Sequence, residues 1–354
     1  YNTGDEVLRF LSELEEIIAS DHPADARRDP RMTSLLPDLD PDGLLEYSVV
    51  FTDRSLNHMS QTFQQVMRDI SATLKDVYNA AAVIVVPGGG TYGMESIARQ
   101  FATGQKCLVI RNGFFSFRWS QIIDMGGLTD ETTVMQARQR AAGPQEPFVP
   151  PAIDEVTAAI RSEKPDVVFA PHVDTSSGMI LPDEYIRAVT EAVHEHRGLF
   201  VLDSVASGCV WVDMKASGVD VLITAPQKGW SSSPCGALVM LGENALERVG
   251  KTTSNSFACD LRKWLDIMRA YENGGHAYHA TLPTDALKTF RDNMLETCSR
   301  GLETMREKQW KLGKKVRELL ESHGFRSVAD EGYQAPGVVV YYTDDPEIQN
   351  GSKF

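Results

Sequence analysis

The sequence has 354 residues, a length that suits one large domain with an appendage or two domains of ordinary size. Hydrophobic residues make up 42% of the chain and charged residues 24%, so it can bury a sizeable core and is not expected to be disordered. The formal net charge of −14, with no Lys- or Arg-rich run, argues against nucleic acid or an anionic membrane as the main partner. A small molecule is the favoured ligand.

Neither a membrane segment nor a secretion signal is evident. The longest apolar runs, such as residues 80–87, are far shorter than the ~20 residues that span a bilayer, and the first residues lack a charged stretch followed by an apolar one. The five cysteines are odd in number, widely spaced and without a Cys-x-x-Cys pair. We therefore expect a soluble protein of the reducing cytoplasm, without zinc or another metal.

The first 45 residues predict an N-terminal arm rather than a separate domain. They combine a short amphipathic helix pattern, Val7–Ile18, with a Pro- and Asp-rich stretch, Asp21–Gly43.

The next part of the chain, residues 46–285, predicts a large α/β domain. Helical patterns alternate with short runs that are apolar throughout, and strands of that kind are typical of a mostly parallel sheet covered by helices on both faces. The predicted strands are Ala81–Val86, Lys106–Arg111, Asp166–Ala170, Leu199–Asp203, Val219–Thr224 and Gly236–Leu241.

The remaining residues, 286–354, predict a small C-terminal α+β domain. A long, highly charged helical pattern covers residues 284–324, and Gly337–Tyr342 is predicted to be a strand. One strand is too little for such a domain, so we expect that the sequence as given omits a C-terminal segment.

A glycine-rich turn follows the first predicted strand. The segment Gly88-Gly-Gly-Thr-Tyr-Gly93 leads into a helical pattern, Met94–Phe101. Glycines let the backbone approach an anion closely, and the N-terminus of the following helix attracts a phosphate. The same glycines satisfy Gly-x-Gly-x-x-Gly, but the acidic residue that a dinucleotide fold needs about 20 residues later is replaced by Arg111-Asn112-Gly113. An NAD(P) site and a tight turn without a ligand remain alternatives.

Two further strands each end in a charged residue. Asp203 closes Leu199–Asp203, and Lys228 follows Val219–Thr224, 25 residues later. That spacing is about one strand–helix–strand unit, so both side chains can face one cleft at the carboxyl edge of the sheet. In pyridoxal phosphate chemistry a lysine forms a Schiff base, an aspartate keeps the pyridine nitrogen protonated, and a helix N-terminus holds the phosphate. Taken singly, Lys228 could be a solvated surface residue and Asp203 a helix cap.

The motifs in this order resemble those of the class V aminotransferases, most of all the alanine–glyoxylate and serine–pyruvate aminotransferase branch. The resemblance runs from about residue 46 to at least residue 290. Its motifs are Pro-Gly-Gly-Gly-Thr-Tyr-Gly-Met-Glu-Ser (87–96), Arg-Asn-Gly-Phe-Phe-Ser-Phe-Arg (111–118), Ala-Pro-His-Val-Asp-Thr-Ser-Ser-Gly (170–178), Val-Leu-Asp-Ser-Val-Ala-Ser (201–207) and Ala-Pro-Gln-Lys (225–228). The resemblance implies pyridoxal 5′-phosphate fold type I, with a mostly parallel seven-stranded sheet between helices and a small α+β domain.

Carried over by position, the resemblance implies a role for each matching residue. Lys228 is the Schiff-base lysine and Asp203 the partner of the pyridine nitrogen. The phosphate is expected to be surrounded by Gly89, Gly90, Thr91 and Gln227. Thr175 is expected near the cofactor hydroxyl, and the two faces of the ring are expected to contact Phe115 and Val205.

Two residues are expected to act across a subunit interface. Tyr278 and Thr281 match residues that reach the phosphate of a neighbouring subunit, which implies a homodimer with shared active sites. His172 and Arg118 are weaker candidates, which we interpret as structural loop residues. For Arg118 the functional alternative is binding of the substrate carboxylate.

The expected reaction is transfer of an amino group from a small amino acid, such as alanine or serine, to glyoxylate or pyruvate. The branch is expected to bind the substrate carboxylate with an arginine near the C-terminus, and the sequence as given ends at Phe354 before a matching residue. The sequence Gly89-Gly90-Thr91, in the turn expected to bind the phosphate, is also seen in relatives acting on aminoethylphosphonate. A lyase, a cysteine desulfurase and a non-enzymatic protein that keeps the cofactor fold remain alternatives.

Overall fold

The computed structural model describes residues 56–349 of the chain. The predicted N-terminal arm and its helix, Val7–Ile18, lie outside the described residues. Of the two units into which the chain divides, His58–Phe354 contains the sheet and its helices. The domain boundary predicted between residues 285 and 286 stays a prediction.

A seven-stranded sheet forms the core of this unit. The strands along the chain are β1 (Ala82–Pro87), β2 (Cys107–Arg111), β3 (Thr132–Gln136), β4 (Arg138–Gln139), β5 (Phe148–Val149), β6 (Val167–Pro171), β7 (Val173–Asp174), β8 (Met179–Ile180), β9 (Leu199–Asp203), β10 (Val221–Thr224) and β11 (Gly236–Leu241). The sheet has the order β1-β11-β10-β9-β6-β2-β3, while β4 pairs with β5 and β7 with β8 in two small ribbons.

The strand directions confirm the mostly parallel α/β prediction. From β10 to β3 every neighbouring pair is parallel, whereas β11 runs antiparallel to both β10 and β1. All six predicted strands are present, with ends that differ from the prediction by two residues at most. Their residues are almost all buried because helices cover both faces.

Helices make up most of the remaining described chain. In order they are α1 (Gln61–Tyr78), α2 (Gly90–Phe101), α3 (Phe114–Gly126), α4 (Ile153–Glu163), α5 (Asp183–His194), α6 (Met214–Ser217), α7 (Glu243–Val249), α8 (Leu261–Glu272), α9 (Thr284–Ser299), α10 (Leu302–Ser322) and α11 (Pro346–Gln349), with a short 3₁₀ helix at Glu331–Tyr333. None of the described helices is both long and apolar enough to cross a bilayer.

The long helical pattern over residues 284–324 forms two helices rather than one. The break between α9 and α10 falls at Gly301, whose φ of 82° lies in the left-handed region. Glycine adopts this conformation without the steric cost that other residues incur, so the chain can change direction there.

The strand predicted at Gly337–Tyr342 is wrong for most of its length. Only Tyr341 forms a single antiparallel bridge, to Ser327. The Arg317 guanidinium occupies the carbonyl oxygens of Ala335 and Val338, so these groups are engaged by a side chain instead of a neighbouring strand. Conversely, the half-buried edge strand β3 was not predicted, because its sequence Thr-Thr-Val-Met-Gln lacks a continuous apolar run.

The arrangement of β9 and β10 sets the position of the functional residues. The two strands are parallel, with the Cα of Asp203 opposite Ile223, one residue before the end of β10. The carboxyl ends of both strands therefore meet at the same edge of the sheet, where ligands bind in open α/β folds.

Helix α2 lies unusually close to the sheet at Gly93. A Cβ atom built on Gly93 would stand 2.4 Å from the Ala237 Cβ of β11 and 2.7 Å from the Ile223 Cδ1 of β10. No side chain fits in that space without displacing the helix from the sheet. Glycine at this position thus holds the N-terminal turn of α2 against the strands.

We predict that Gly93→Ala lowers the free energy of unfolding by about 1–3 kcal/mol, because overpacking outweighs the gain in helix propensity. Urea denaturation would measure the change. Gly332→Ala serves as the control, since a Cβ atom there would meet no atom within 4 Å. Equal stability of wild type and Gly93→Ala would contradict the close packing of α2.

Candidate active site

A cavity of about 200 Å³ lies at the carboxyl edge of the sheet and gathers most of the predicted site residues. Its walls are formed by Gly90, Thr91, Met94, Phe115, Arg118, Val173, Thr175, Asp203, Val205, Ala206, Gln227 and Lys228. These side chains come from the ends of several strands and from the starts of α2 and α3. The predicted meeting of Asp203 and Lys228 in one cleft is observed.

Three predicted residues lie outside the walls of this cavity. Gly89 is the residue immediately before α2 and caps its N-terminus. Tyr278 and Thr281 are exposed and lie within hydrogen-bonding distance of each other, with 3.4 Å between their hydroxyl oxygens. Their predicted role at a neighbouring subunit's site stays a prediction.

Asp203 supplies a buried carboxylate to the cavity. Its Oδ1 accepts a hydrogen bond of 3.0 Å from the backbone N–H of Val205, and its Oδ2 has no partner within residues 56–349. Burial raises the pKa of Asp203 to about 6, against the lowering effects of the Val205 hydrogen bond and the more distant Arg118 charge. A carboxylate in this setting would be stabilised by a cationic or N–H partner in the cavity.

Lys228 stands on the turn that follows β10. The turn is closed by backbone hydrogen bonds from the N–H of Lys228 to the carbonyl of Ala225 and from Ser231 to Lys228. The lysine side chain is exposed, and its amine has no hydrogen bond or ion pair within the described part of the chain. The amine can therefore react with an electrophile in the cavity without first breaking a contact.

An aromatic cluster anchors the lysine turn from behind. Trp230 is fully buried, and its ring lies 4.6 Å from that of Trp211 and within 6.5 Å of those of Tyr78 and Phe290. Trp230 therefore packs into the core. It does not enclose Lys228, whose side chain is exposed.

Two glycines bring the Lys228 turn against the loop after Asp203. A Cβ atom on Gly229 would stand 2.1 Å from the carbonyl oxygen of Gly208, so only glycine permits this backbone approach. On its other side the loop is held by Gln309 of α10, which accepts a hydrogen bond of 3.0 Å from the Cys209 N–H and donates one of 3.3 Å to the Ser207 carbonyl. The loop is thus fixed between the lysine turn and α10.

The N-terminus of α2 forms one wall of the cavity, as the glycine-rich motif predicts. The N–H groups of Gly90 and Thr91 have no backbone acceptor among the described residues, which is usual for a first helical turn. Gly90 comes close to Val205, since a Cβ atom built on it would lie 3.2 Å from Val205 Cγ2. The free amides and the helix dipole make this wall suitable for an anion.

The start of α3 is fixed by a buried acid that the sequence analysis did not assign. Asp174 is fully buried, and each of its oxygens accepts two hydrogen bonds, from the N–H and hydroxyl of Ser116 and from the N–H and hydroxyl of Ser176. Gly113 allows this contact, since a Cβ atom there would stand 2.4 Å from Asp174 Oδ1. The network positions Phe115 and Arg118 at the cavity. The sequence signal for Asp174 was a carboxylate shortly after an apolar strand, with a serine two residues later.

The two weaker candidates differ in their placement. Arg118 lies in α3, not in a loop, and faces the cavity. His172 is buried between β6 and β7, where its Nδ1 lies 2.7 Å from the Ser207 Oγ, and it borders a separate cavity of about 390 Å³. Burial lowers the pKa of His172 to about 4, so the imidazole is neutral at pH 7. Its hydrogen bond supports the loop that follows Asp203.

A larger cavity lies elsewhere in the unit but lacks an acid paired with a reactive amine. It has a volume of about 510 Å³ and borders Leu199, at the amino end of β9, whereas Asp203 is at the carboxyl end. Three of its charged residues have partners: Lys251 pairs with Glu247, and Arg248 donates to the carbonyl oxygen of Arg197. Size alone does not identify the active site.

The unmet polar groups of the smaller cavity fit pyridoxal phosphate. The Asp203 Oδ2 and the Lys228 amine have no partner within residues 56–349, and the Gln227 Oε1 is buried without a hydrogen bond. The cofactor presents a pyridine nitrogen to an acid, an aldehyde to an amine and a phosphate to helix N–H groups. Asp203, Lys228 and the start of α2 supply these three features around one space.

Comparison with known proteins gives a consistent result. Residues 44–343 match the family model described as aminotransferase class-V. The L-aspartate–glyoxylate aminotransferase of Paracoccus denitrificans is 26% identical over 279 residues, covering 78% of this chain and 67% of that protein. Alanine–glyoxylate aminotransferase 1 of Saccharomyces cerevisiae is 27% identical over 317 residues, covering 82% and 78% respectively.

A solved structure shows the same fold. The crystal structure of alanine–glyoxylate aminotransferase from Nostoc sp. superimposes with a TM-score of 0.71 at 23% identity, covering 82% of this chain and 74% of that one. The sheet and its helices therefore have the arrangement that the sequence motifs predicted.

We predict a pH-dependent stability that depends on Asp203. Between its ordinary pKa of 3.8 and its folded pKa of about 6, the folded protein retains a proton that the unfolded chain has released. Stability is therefore expected to fall as the pH rises from about 4 to about 6. Asp203→Asn removes this titration. The free energy of unfolding of the variant, relative to that of wild type, should therefore rise by about 2–3 kcal/mol between pH 4 and pH 7.

Urea denaturation at both pH values, on protein prepared without pyridoxal phosphate, measures this gain. Asp130→Asn, at an exposed acid, is the control. A stability difference between Asp203→Asn and wild type that is the same at both pH values would show that Asp203 is not the group responsible.

Proposed function

The chain belongs to the class V aminotransferases, whose cofactor is pyridoxal 5′-phosphate, and we propose that it transfers an amino group from a small amino acid to glyoxylate through Lys228. Membership in this family favours the pyridoxal phosphate interpretation of the glycine-rich turn over the dinucleotide alternative. The observation that carries the proposal is the pairing of Asp203 and Lys228 across one cavity beside the N-terminus of α2.

Each cavity residue has a task in this proposal. Asp203 holds a proton on the pyridine nitrogen through its Oδ2, the oxygen without a partner among residues 56–349. Phe115 and Val205 pack against the two faces of the ring, and Thr175 lies beside its hydroxyl. Gly89, Gly90, Thr91 and Gln227 surround the phosphate. When bound, the cofactor supplies an aromatic ring that accepts the electrons released as the substrate loses its α-proton.

Lys228 has two consecutive tasks. Its amine would hold the cofactor through the aldehyde, and after release by an incoming amino acid it would be free to accept the substrate α-proton as a general base. The side chain is exposed and makes no hydrogen bond or ion pair with the described residues, which supports both tasks. The close approach of Gly229 to Gly208 keeps the amine on the side of the cavity that also holds Asp203.

The substrate assignment rests on the relatives. Two of them are named for glyoxylate as the acceptor, with aspartate or alanine as the donor. We propose glyoxylate as the acceptor here, with alanine, serine or aspartate as donors to be tested and pyruvate as the second acceptor.

We also propose that the protein acts as a homodimer in which Tyr278 and Thr281 reach the phosphate of the other subunit. Their exposure outside the cavity supports this role. Mixed dimers test it: Lys228→Ala and Tyr278→Ala proteins, each impaired alone, should regain about a quarter of the wild-type activity when co-refolded. About half of the dimers are then mixed, and one of the two sites in each mixed dimer is intact. No recovery would contradict shared sites.

A cytoplasmic location is a further part of the proposal. All five cysteines are unpaired, which suits a reducing compartment.

We predict that Lys228→Ala reduces amino transfer by about 10²–10⁴-fold or more, because the general base is lost. The measurement follows the oxo acid formed from each donor with and without glyoxylate. Lys215→Ala, at an exposed lysine on α6, is the control and should keep full activity. Full activity of Lys228→Ala would contradict the assignment, and release of ammonia without an acceptor would indicate a lyase instead.

A further inference from the structure

Arg118 is a half-buried cation that lines the active-site cavity. Of the residues that line the cavity, only Arg118 and Lys228 carry a positive charge, and only Asp203 carries a negative one. No ion pair joins Arg118 to any acid within residues 56–349. A half-buried guanidinium with unused N–H groups favours an anionic ligand.

The position of Arg118 is fixed by two neighbours at the cavity. Its Nη1 donates a hydrogen bond of 3.0 Å to the Thr91 Oγ1, and its Cζ lies 5.2 Å from the centre of the Phe115 ring. The guanidinium is therefore held between the start of α2 and the aromatic wall. Because a guanidinium has five N–H donors and this one uses a single donor within the described residues, it can also donate to a ligand.

The contact with Thr91 directs Arg118 toward the phosphate end of the cavity. Thr91 is the second residue of α2, and its N–H, like that of Gly90, has no backbone acceptor in the described part of the chain. Because the Thr91 oxygen accepts from Arg118, its hydroxyl proton remains available to donate. Two amides, a hydroxyl and a guanidinium thus converge on one wall.

The charge of a phosphate requires such a group. A helix N-terminus contributes only about half a positive charge, and a phosphate ester near pH 7 carries between one and two negative charges. Gln227 is neutral, and the Lys228 amine is engaged with the aldehyde in the proposed function. Among the cavity residues, Arg118 is the cation that remains for the phosphate.

We propose that Arg118 binds the cofactor phosphate and neutralises part of its charge, completing the cup formed by Gly89, Gly90 and Thr91. The inference rests on the proposed function, because it requires pyridoxal phosphate in this cavity. It differs from the sequence-based alternative, in which Arg118 binds the carboxylate of the substrate.

The test compares pyridoxal phosphate with pyridoxal, which lacks the phosphate. Dissociation constants of both are measured by visible absorption for wild type and Arg118→Met, a change that keeps an unbranched side chain over Phe115 but removes the donors. Both compounds carry the same aldehyde and ring, so the contributions of Lys228 and Asp203 cancel in the ratio of the two constants. We expect the preference for the phosphorylated compound to fall by about 10- to 100-fold in Arg118→Met.

Two matched variants sharpen the comparison. Arg118→Lys keeps the charge but loses the planar fork, and it should restore part of the preference. Arg111→Met is the control, since Arg111 lies 4.7 Å from the Phe117 ring in the same kind of contact but does not line the cavity. Its preference for pyridoxal phosphate should equal that of wild type.

The possible outcomes separate the proposal from its alternatives. An unchanged preference in Arg118→Met, or an equal loss of affinity for both compounds, would overturn the phosphate assignment. If the preference is unchanged and the variant also no longer discriminates between alanine and alanine methyl ester, Arg118 would be assigned to the substrate carboxylate instead. Failure of wild type to bind pyridoxal phosphate at all would instead refute the proposed function.

Discussion

The active site depends on the close backbone contact between the Lys228 turn and the loop after Asp203. Parallel pairing of β9 and β10 brings the two segments to one edge of the sheet, and the approach of Gly229 to the Gly208 carbonyl brings them together. Buried Trp230 on one side and Gln309 on the other hold this contact in place. Strand pairing and this contact together place an acid and an amine 25 residues apart at one cavity.

The distribution of charge in the cavity follows from this arrangement. Burial raises the pKa of Asp203, so its carboxylate is stabilised when it shares a proton with a ligand nitrogen. At the start of α2, the amides of the first turn and Arg118, which has no acidic partner within residues 56–349, favour an anion. A ligand that carries a basic nitrogen, a phosphate and an aldehyde can bind to Asp203 and to the start of α2, and its aldehyde can react with Lys228.

Much of the fold and the reactive pair could be predicted from the sequence, because apolar strands and glycine-rich turns are local patterns. Asp203 and Lys228 follow such strands directly, so their shared edge follows from topology. Gln309 could not be found in this way, since its contact with Cys209 joins segments 100 residues apart. Arg118 was interpreted as structural because the sequence around it does not reveal that it has no acidic partner among the described residues.

The most direct test of the account is to identify the lysine that reacts with the cofactor. The protein is incubated with pyridoxal phosphate and reduced with sodium borohydride, and the labelled peptides are mapped by mass spectrometry. The account predicts a single stoichiometric label on Lys228 that is absent after treatment with pyridoxine phosphate, which has no aldehyde. A label spread over surface lysines, or concentrated on a lysine away from the cavity, would contradict it.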